Sequence, residues 1–180
     1  MGLDIFFADL GMFFRIVNVY GPCQQREQFW QHLLNLHLLD PYNTIIGGDL
    51  HFSLGYRESW GSAAQIDPIT DHISNLLVQT NFIDVPMQKP LPTWRNRRVG
   101  DVALARRLDN FLLKGLLLQQ MHHYKKWVGS RGISDHSPIY LEIWGPFKKL
   151  KAPYKFNHVS LRDPDYIKMV TDIWVANPIN

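Results

Sequence analysis

Three aspartates and a histidine occupy positions from which side chains can do chemistry. Asp49 closes the apolar run in NTIIGGDLH, Asp109 opens one in RRLDNFLL, and Asp135 and His136 precede a proline turn in ISDHSP. Carboxylates displayed at strand ends can bind a hard divalent cation such as Mg²⁺, which takes a few oxygen ligands and keeps several waters. That cation would hold a phosphate and help generate the attacking water. His136 can contact a scissile phosphate, and Asp109 can fix its tautomer through a hydrogen bond. His51 follows Asp49 by two residues and joins the candidates. Together these parts suggest metal-assisted phosphodiester hydrolysis.

Each residue taken singly also has a structural reading. An aspartate after two glycines is usually a turn residue, SDH before Pro138 is an ordinary turn, and a lone histidine more often makes a structural hydrogen bond. Tyr20 can hold a phosphate, although an aromatic at a strand end is more often packing. Arg95, Arg97, Arg98, Arg106 and Arg107 can touch a nucleic-acid backbone, or line a solvated hairpin. Trp94 is expected in the core or at its rim. Cys23, the single cysteine, excludes an intrachain disulfide framework and a cysteine-based zinc site. A small buried apolar role is expected for it.

The elements that must position these residues follow from periodicity. MFFRIVNVYG alternates β-branched and aromatic residues up to Gly21-Pro22 and predicts a strand. QQREQFWQHLLNLHLLD repeats apolar residues at helical spacing and stops at Asp40-Pro41. TIIGGD is a second strand whose glycines turn the backbone tightly, and Asp67-Pro68 is the expected cap and first turn of a helix carrying Ile69, Ile73, Leu76 and Leu77. FIDVP, PTWRN, RRLDNFLL and SPIYLEIW are four further strands, while LLLQQMHHYKKWVG fits strand or helix. A short helix starts at Asp163-Pro164 with Tyr166, Ile167, Val170 and Trp174 on one side.

At 180 residues, 46% hydrophobic and 19% charged, the chain has the length and composition of one globular domain with an extension. A net charge of +3 permits an anionic partner without requiring one. Asp4, Asp9 and Arg15 interrupt the hydrophobic start, so neither a leader nor a membrane span is expected, and an intracellular chain is.

NVYGP, IIGGDLH, PTWRN, RRLDNFLL and SDHSPI occur in that order. The series closely resembles the endonuclease/exonuclease/phosphatase superfamily, and more narrowly the apurinic-type endonuclease domain of plant LINE-type non-LTR retrotransposons. The likeness runs from about Phe13 onward, and YKFNHVSLRDPDYIKMVTDIW resembles the linker towards a reverse transcriptase. It implies an α/β (α+β) fold: a four-layer sandwich of two β-sheets flanked by helices. Residues 1–147 would form the endonuclease-type domain, incomplete at its start, and 148–180 the linker and short helix.

By the same resemblance, Tyr20 contacts the scissile phosphate and Asp49 orients or deprotonates the attacking water. Asp109 pairs with the histidine, Asp135 serves at the metal or base position, and His136 contacts the phosphate. The cofactor is Mg²⁺ and the partner is DNA, with Arg95, Arg97 and Arg98 along its backbone and a nuclear location for a retrotransposon role. A superfamily phosphatase acting on a small substrate is an alternative.

The sequence departs from the family in two ways. The N-terminal asparagine motif and the glutamate that serves as principal metal ligand do not occur, and His51 stands where the family has asparagine in GGDxN. A larger ring that titrates near neutrality does not reproduce an asparagine amide. Turnover is therefore expected to be impaired or lost, with a non-catalytic retrotransposon-derived fragment as the alternative. Exposed sheet edges are expected to favour association with another chain.

Overall fold

The computed structural model describes residues 2–8, 10–41, 43–121, 123–144 and 164–176. The strands are β1 (Gly2–Phe7), β2 (Met12–Tyr20), β3 (Thr44–Asp49), β4 (Ser59–Trp60), β5 (Phe82–Asp84), β6 (Trp94–Arg95), β7 (Ala105–Arg106), β8 (Asp109–Lys114), β9 (His123–Val128) and β10 (Ile139–Trp144). The helices are α1 (Arg26–Leu34), α2 (Thr70–Gln79), α3 (Gly115–Gln120) and α4 (Pro164–Ala176). Met1–Phe147 and Lys148–Asn180 are two compact units. Among the described residues the second contains α4, where Thr171 Oγ1 donates to the Ile167 carbonyl at 2.9 Å. Asp9 and the expected linker at 148–163 lie outside the described residues.

Alternation builds the first unit. On β2, Phe14 and Ile16 face one side and Val17 and Val19 the other; β3 divides Ile45 from Ile46, and β8 divides Phe111 and Leu113 from Leu112. A sheet apolar on both faces must be covered on both. The five strands lie in the order β1-β2-β3-β8-β5, with β2 and β3 parallel and the other pairs antiparallel. One face packs on α1 and α2 through Trp30, Leu34, Ile73 and Leu76. The other packs on α3 and the antiparallel β9–β10 pair through Leu117, Leu141 and Ile143. A third small sheet, β4-β7-β6, stands at the end where the acidic residues gather.

Two sheets were expected; three are present among the described residues, because RRLDNFLL does not run as one strand. It breaks between β7 and β8, where Arg107 turns inward. Its guanidinium donates to Asp84, Glu58 and Asn110, while Lys126 Nζ donates to Asp84 at 3.2 Å, Asn110 at 2.9 Å and the Val85 carbonyl at 3.0 Å. Burial pulls the Lys126 pKa down to about 8 against the opposing pull of Asp84. Arg107 is thus a core ion-pair residue, which corrects both readings open to it, nucleic-acid contact and a solvated hairpin.

LLLQQMHHYKKWVG resolves into both of its readings, α3 and then β9. GLDIFF, not expected as an element, forms β1. The following helix begins at Thr70 after Ile69, so Asp67 lies before the cap position it was expected to fill, yet Asp67 Oδ1 still accepts from Ile69 N at 3.3 Å. Its carboxylate also takes a bidentate pair from Arg26 at 2.8 and 2.9 Å. Cys23 is exposed, correcting the buried role expected for it. No helix among the described residues is long and apolar enough to cross a membrane.

β1 is the outer strand of its sheet, and Phe6 (52% exposed) and Phe13 (60%) form a cross-strand pair 5.0 Å apart. Behind them an apolar cleft of about 200 Å³ opens between Phe7, Phe14, Ile45, Phe111, Leu141 and Ile143. Exposed aromatics on an unpaired edge template association. The chain expressed alone is expected to self-associate, and F6K with F13T to raise the monomer fraction in light scattering with little change in Tm.

Candidate active site

Sheet register aligns three of the expected residues. Tyr20 pairs with Asp49 across β2–β3, and Asp49 pairs with Asp109 across β3–β8, so the three strand ends stand side by side. Gly47 and Gly48 lie inside β3 rather than in a turn, and the reason for glycine is close approach. A Cβ at Gly47 would sit 2.7 Å from the Phe111 ring, and one at Gly48 2.1 Å from the Val19 carbonyl oxygen; Gly48 also has φ 132°.

His136 reaches this row from the loop before β10. It forms an isolated bridge with Trp94, and Ser137 N donates to the Thr93 carbonyl at 2.7 Å. Thr93 Oγ1 accepts from the backbone of both Leu108 and Asp109 at 3.0 Å, so one buried threonine positions the two loops that carry the pair. Sequence reasoning missed Thr93; its place in PTWRN was the available signal. His136 Nδ1 lies 2.9 Å from Asp109 Oδ2, the pairing that the resemblance implies.

His51 sits on the other side of Asp49 in left-handed backbone, φ 54°. Its N–H reaches Asp49 Oδ1 at 3.3 Å, and its carbonyl accepts from Arg26 at 2.8 Å. This conformation suits asparagine and is also open to histidine. The ring puts Nε2 2.9 Å from Asp49 Oδ2 and Nδ1 3.3 Å from Cys23 Sγ, and it tilts against Tyr20 at 5.2 Å between centroids. Tyr20 itself is 75% exposed.

Asp49 is therefore crowded and poorly solvated. Its side chain is 9% exposed, and burial, with Asp109 adding, raises its pKa against the pull of His51 and His136. Oδ2 lies at ion-pair distance from both imidazoles, 2.9 and 3.7 Å, yet among the described residues neither approach has hydrogen-bond alignment. A raised folded pKa means that stability falls as the pH rises from 3.8 to that value, with the loss complete above it. D49N is thus expected to raise Tm at neutral pH, with the gain shrinking towards pH 3.8, in calorimetry across pH.

Ligand atoms of Asp49, Asp109 and His136 lie within 4.8 Å of one another. With a buried, unaligned carboxylate oxygen among them, this donor set fits a divalent cation. Asp135 is not brought into that group. It accepts from Trp94 Nε1 at 3.0 Å, which, helped by its own backbone, holds its carboxyl below the usual range. Trp94 is half-buried, as a rim residue. Arg95, Arg97 and Arg98 are exposed and line a cleft of about 320 Å³ with Trp60 and Arg131. β6 joins this cleft to the acidic row, since Arg95 N donates to the Asp135 carbonyl at 3.1 Å.

No protein-family model and no curated protein matches the chain. Solved structures do. The endonuclease domain of TRAS1, a telomere-specific non-LTR retrotransposon, superposes with a TM-score of 0.61 at 16% identity, covering 79% of this chain and 62% of that one. The AP endonuclease LMAP from Leishmania major gives 0.58 at 18% identity, covering 74% and 51%. The 3'-5' exonuclease NExo from Neisseria meningitidis gives 0.54 at 16%, covering 73% and 61%. The chain thus spans between half and two thirds of the length of the structures that it matches. Sheet order, flanking helices and these likenesses together show that the chain has the endonuclease/exonuclease/phosphatase fold.

Proposed function

We propose that this chain carries a phosphodiester-hydrolysing site of the nuclease type, acting on DNA and attenuated by His51. The observation that carries the reading is the assembled row of Tyr20, Asp49 and Asp109, with His136 held on Asp109 at 2.9 Å. In it, Asp49 accepts a proton from the attacking water as the new P–O bond forms and the bond to the leaving alkoxide breaks. His136, fixed by Asp109, contacts the phosphate from the Nε2 side. Tyr20, exposed at the strand end, contacts the same phosphate, and Arg95, Arg97 and Arg98 pair with flanking phosphates. The cation implied by the resemblance, Mg²⁺, would be held by the carboxylates of Asp49 and Asp109 beside His136 and would supply charge neutralisation at the phosphate.

The retrotransposon endonuclease likeness favours nicking of target DNA, hence a nuclear location, over a small phosphate ester as substrate. A second reading, a non-catalytic chain, also has an observation behind it: the His51 ring lies 2.9 Å from the Asp49 oxygen that a water would use. Supercoiled-plasmid nicking with Mg²⁺, against a chelator control, separates the readings. Slow, chelator-sensitive nicking supports hydrolysis, and none at any protein concentration supports the non-catalytic chain. Cleavage of a small phosphodiester with no plasmid nicking would move the substrate class instead.

A further inference from the structure

Ile133 is the most exposed large hydrophobic side chain among the described residues, at 98%. It stands in the loop between β9 and β10, three residues before His136. A single apolar side chain on a surface is ordinary. This one differs in how its loop is held and in what stands around it.

The loop is fastened to β6 and the residues beside it. Arg97 Nη2 donates to the Ile133 carbonyl, Arg95 N to the Asp135 carbonyl at 3.1 Å, and Ser137 N to the Thr93 carbonyl at 2.7 Å. Ser134 Oγ accepts from His136 N at 3.1 Å and closes the turn between them. The backbone at Ile133 is therefore anchored while its side chain projects into solvent. Arg131, two residues earlier, and Arg97 are both exposed and line the same cleft as Arg95 and Arg98.

Exposed arginines suit phosphates, and an aliphatic group projecting among them suits the apolar surface that a phosphate-lined partner offers, the faces of its bases. Proteins that deform DNA insert such side chains between base steps and partly unstack them. Three residues of chain span at most about 11 Å, so Ile133 and His136 would act within a few base steps of each other.

We propose that Ile133 is a wedge that enters the base stack of duplex DNA beside the phosphate contacted by His136, so that the chain selects steps that open readily, such as one next to an unpaired base. The inference rests on the nucleic-acid reading above and deepens it by naming the form of DNA preferred. A fully paired step costs more to open, and that cost falls on the complex.

The test is binding without turnover, by fluorescence anisotropy in EDTA. The chain is expected to bind a duplex with one unpaired adenine about tenfold more tightly than the fully paired duplex, because part of the stack is already open. I133S is expected to lose most of that ratio while its affinity for the paired duplex stays within about twofold, since the arginine–phosphate contacts remain. I133L is expected to keep the ratio, and V78S, at the exposed Val78 of α2, to leave both affinities unchanged. 2-Aminopurine beside the unpaired base should brighten on binding the parent chain and stay dim with I133S. Thermal melts check that I133S is folded. An unchanged ratio in folded I133S overturns the proposal, and fewer oligomers of that variant in light scattering would then make Ile133 a contact between copies. Absence of plasmid nicking with an Ile133-dependent ratio removes the hydrolytic reading alone, whereas nicking by a chain whose ratio ignores Ile133 removes this one alone. Binding of neither duplex removes both.

Discussion

Replacing His136 by alanine is expected to reduce plasmid nicking by about 10²–10⁴-fold, the usual range for a residue that assists proton transfer or charge development at a phosphate. The same assay with D49A is expected to fall to a similar floor, and the double variant to lose little more, because residues acting on one transition state are not additive. The geometry behind the expectation is the 2.9 Å contact between His136 Nδ1 and Asp109, which orients the ring with Nε2 towards Asp49 at 3.7 Å. D109N tests that orientation: the protein should keep its melting curve while the pH profile of nicking shifts, because an amide no longer stabilises the imidazolium. Retention of full nicking in H136A would place the chemistry elsewhere in the chain.

R107M is expected to have the largest effect on stability, a loss of about 3–5 kcal/mol in urea unfolding, because one partner of a buried ion-pair network is removed and its carboxylates stay behind. Arg107 neutralises Asp84 and Glu58 together, and its guanidinium also donates to buried Asn110. Lys126 then faces two acids alone, and its 3.2 Å contact with Asp84 does not reach Glu58. Adding D84L to R107M should recover part of the loss, since it removes one of the stranded charges. If R107M instead melted like the parent and lost DNA affinity, Arg107 would belong to the nucleic-acid surface, as its place in a run of arginines first suggested.

The difference between Arg107 and Arg97 shows where sequence legibility stops. Both are arginines in basic, turn-rich stretches, and nothing local separates them. Arg107 is buried because β7 ends beside it and turns the side chain towards Asp84, 23 residues earlier, and Glu58, 49 residues earlier. Arg97 stays exposed on the hairpin loop. Periodicity carries information over a few residues, whereas such pairings depend on which strands become neighbours.

Cys23 makes the same point. Its residue type favours burial, but the turn after Gly21-Pro22 leaves it exposed against His51, 28 residues on. The split of LLLQQMHHYKKWVG into α3 and β9 was equally out of reach, because both halves are apolar enough for either period.

The sequence by itself determined the alternating strands β2, β3 and β10, the face of α2, and the identity of the residues that gather at the strand ends, because each is written in local period and residue chemistry. Only the tertiary structure decided which of them meet. Strand register sets Tyr20, Asp49 and Asp109 side by side, and Thr93 fastens the loop that brings His136 to Asp109, while Asp135 turns away to Trp94. It also placed the His51 ring against Asp49, with Cys23 behind it. Coordination and proton transfer depend on separations of a few ångströms between residues far apart in the chain, and those separations exist only once the sheet has paired.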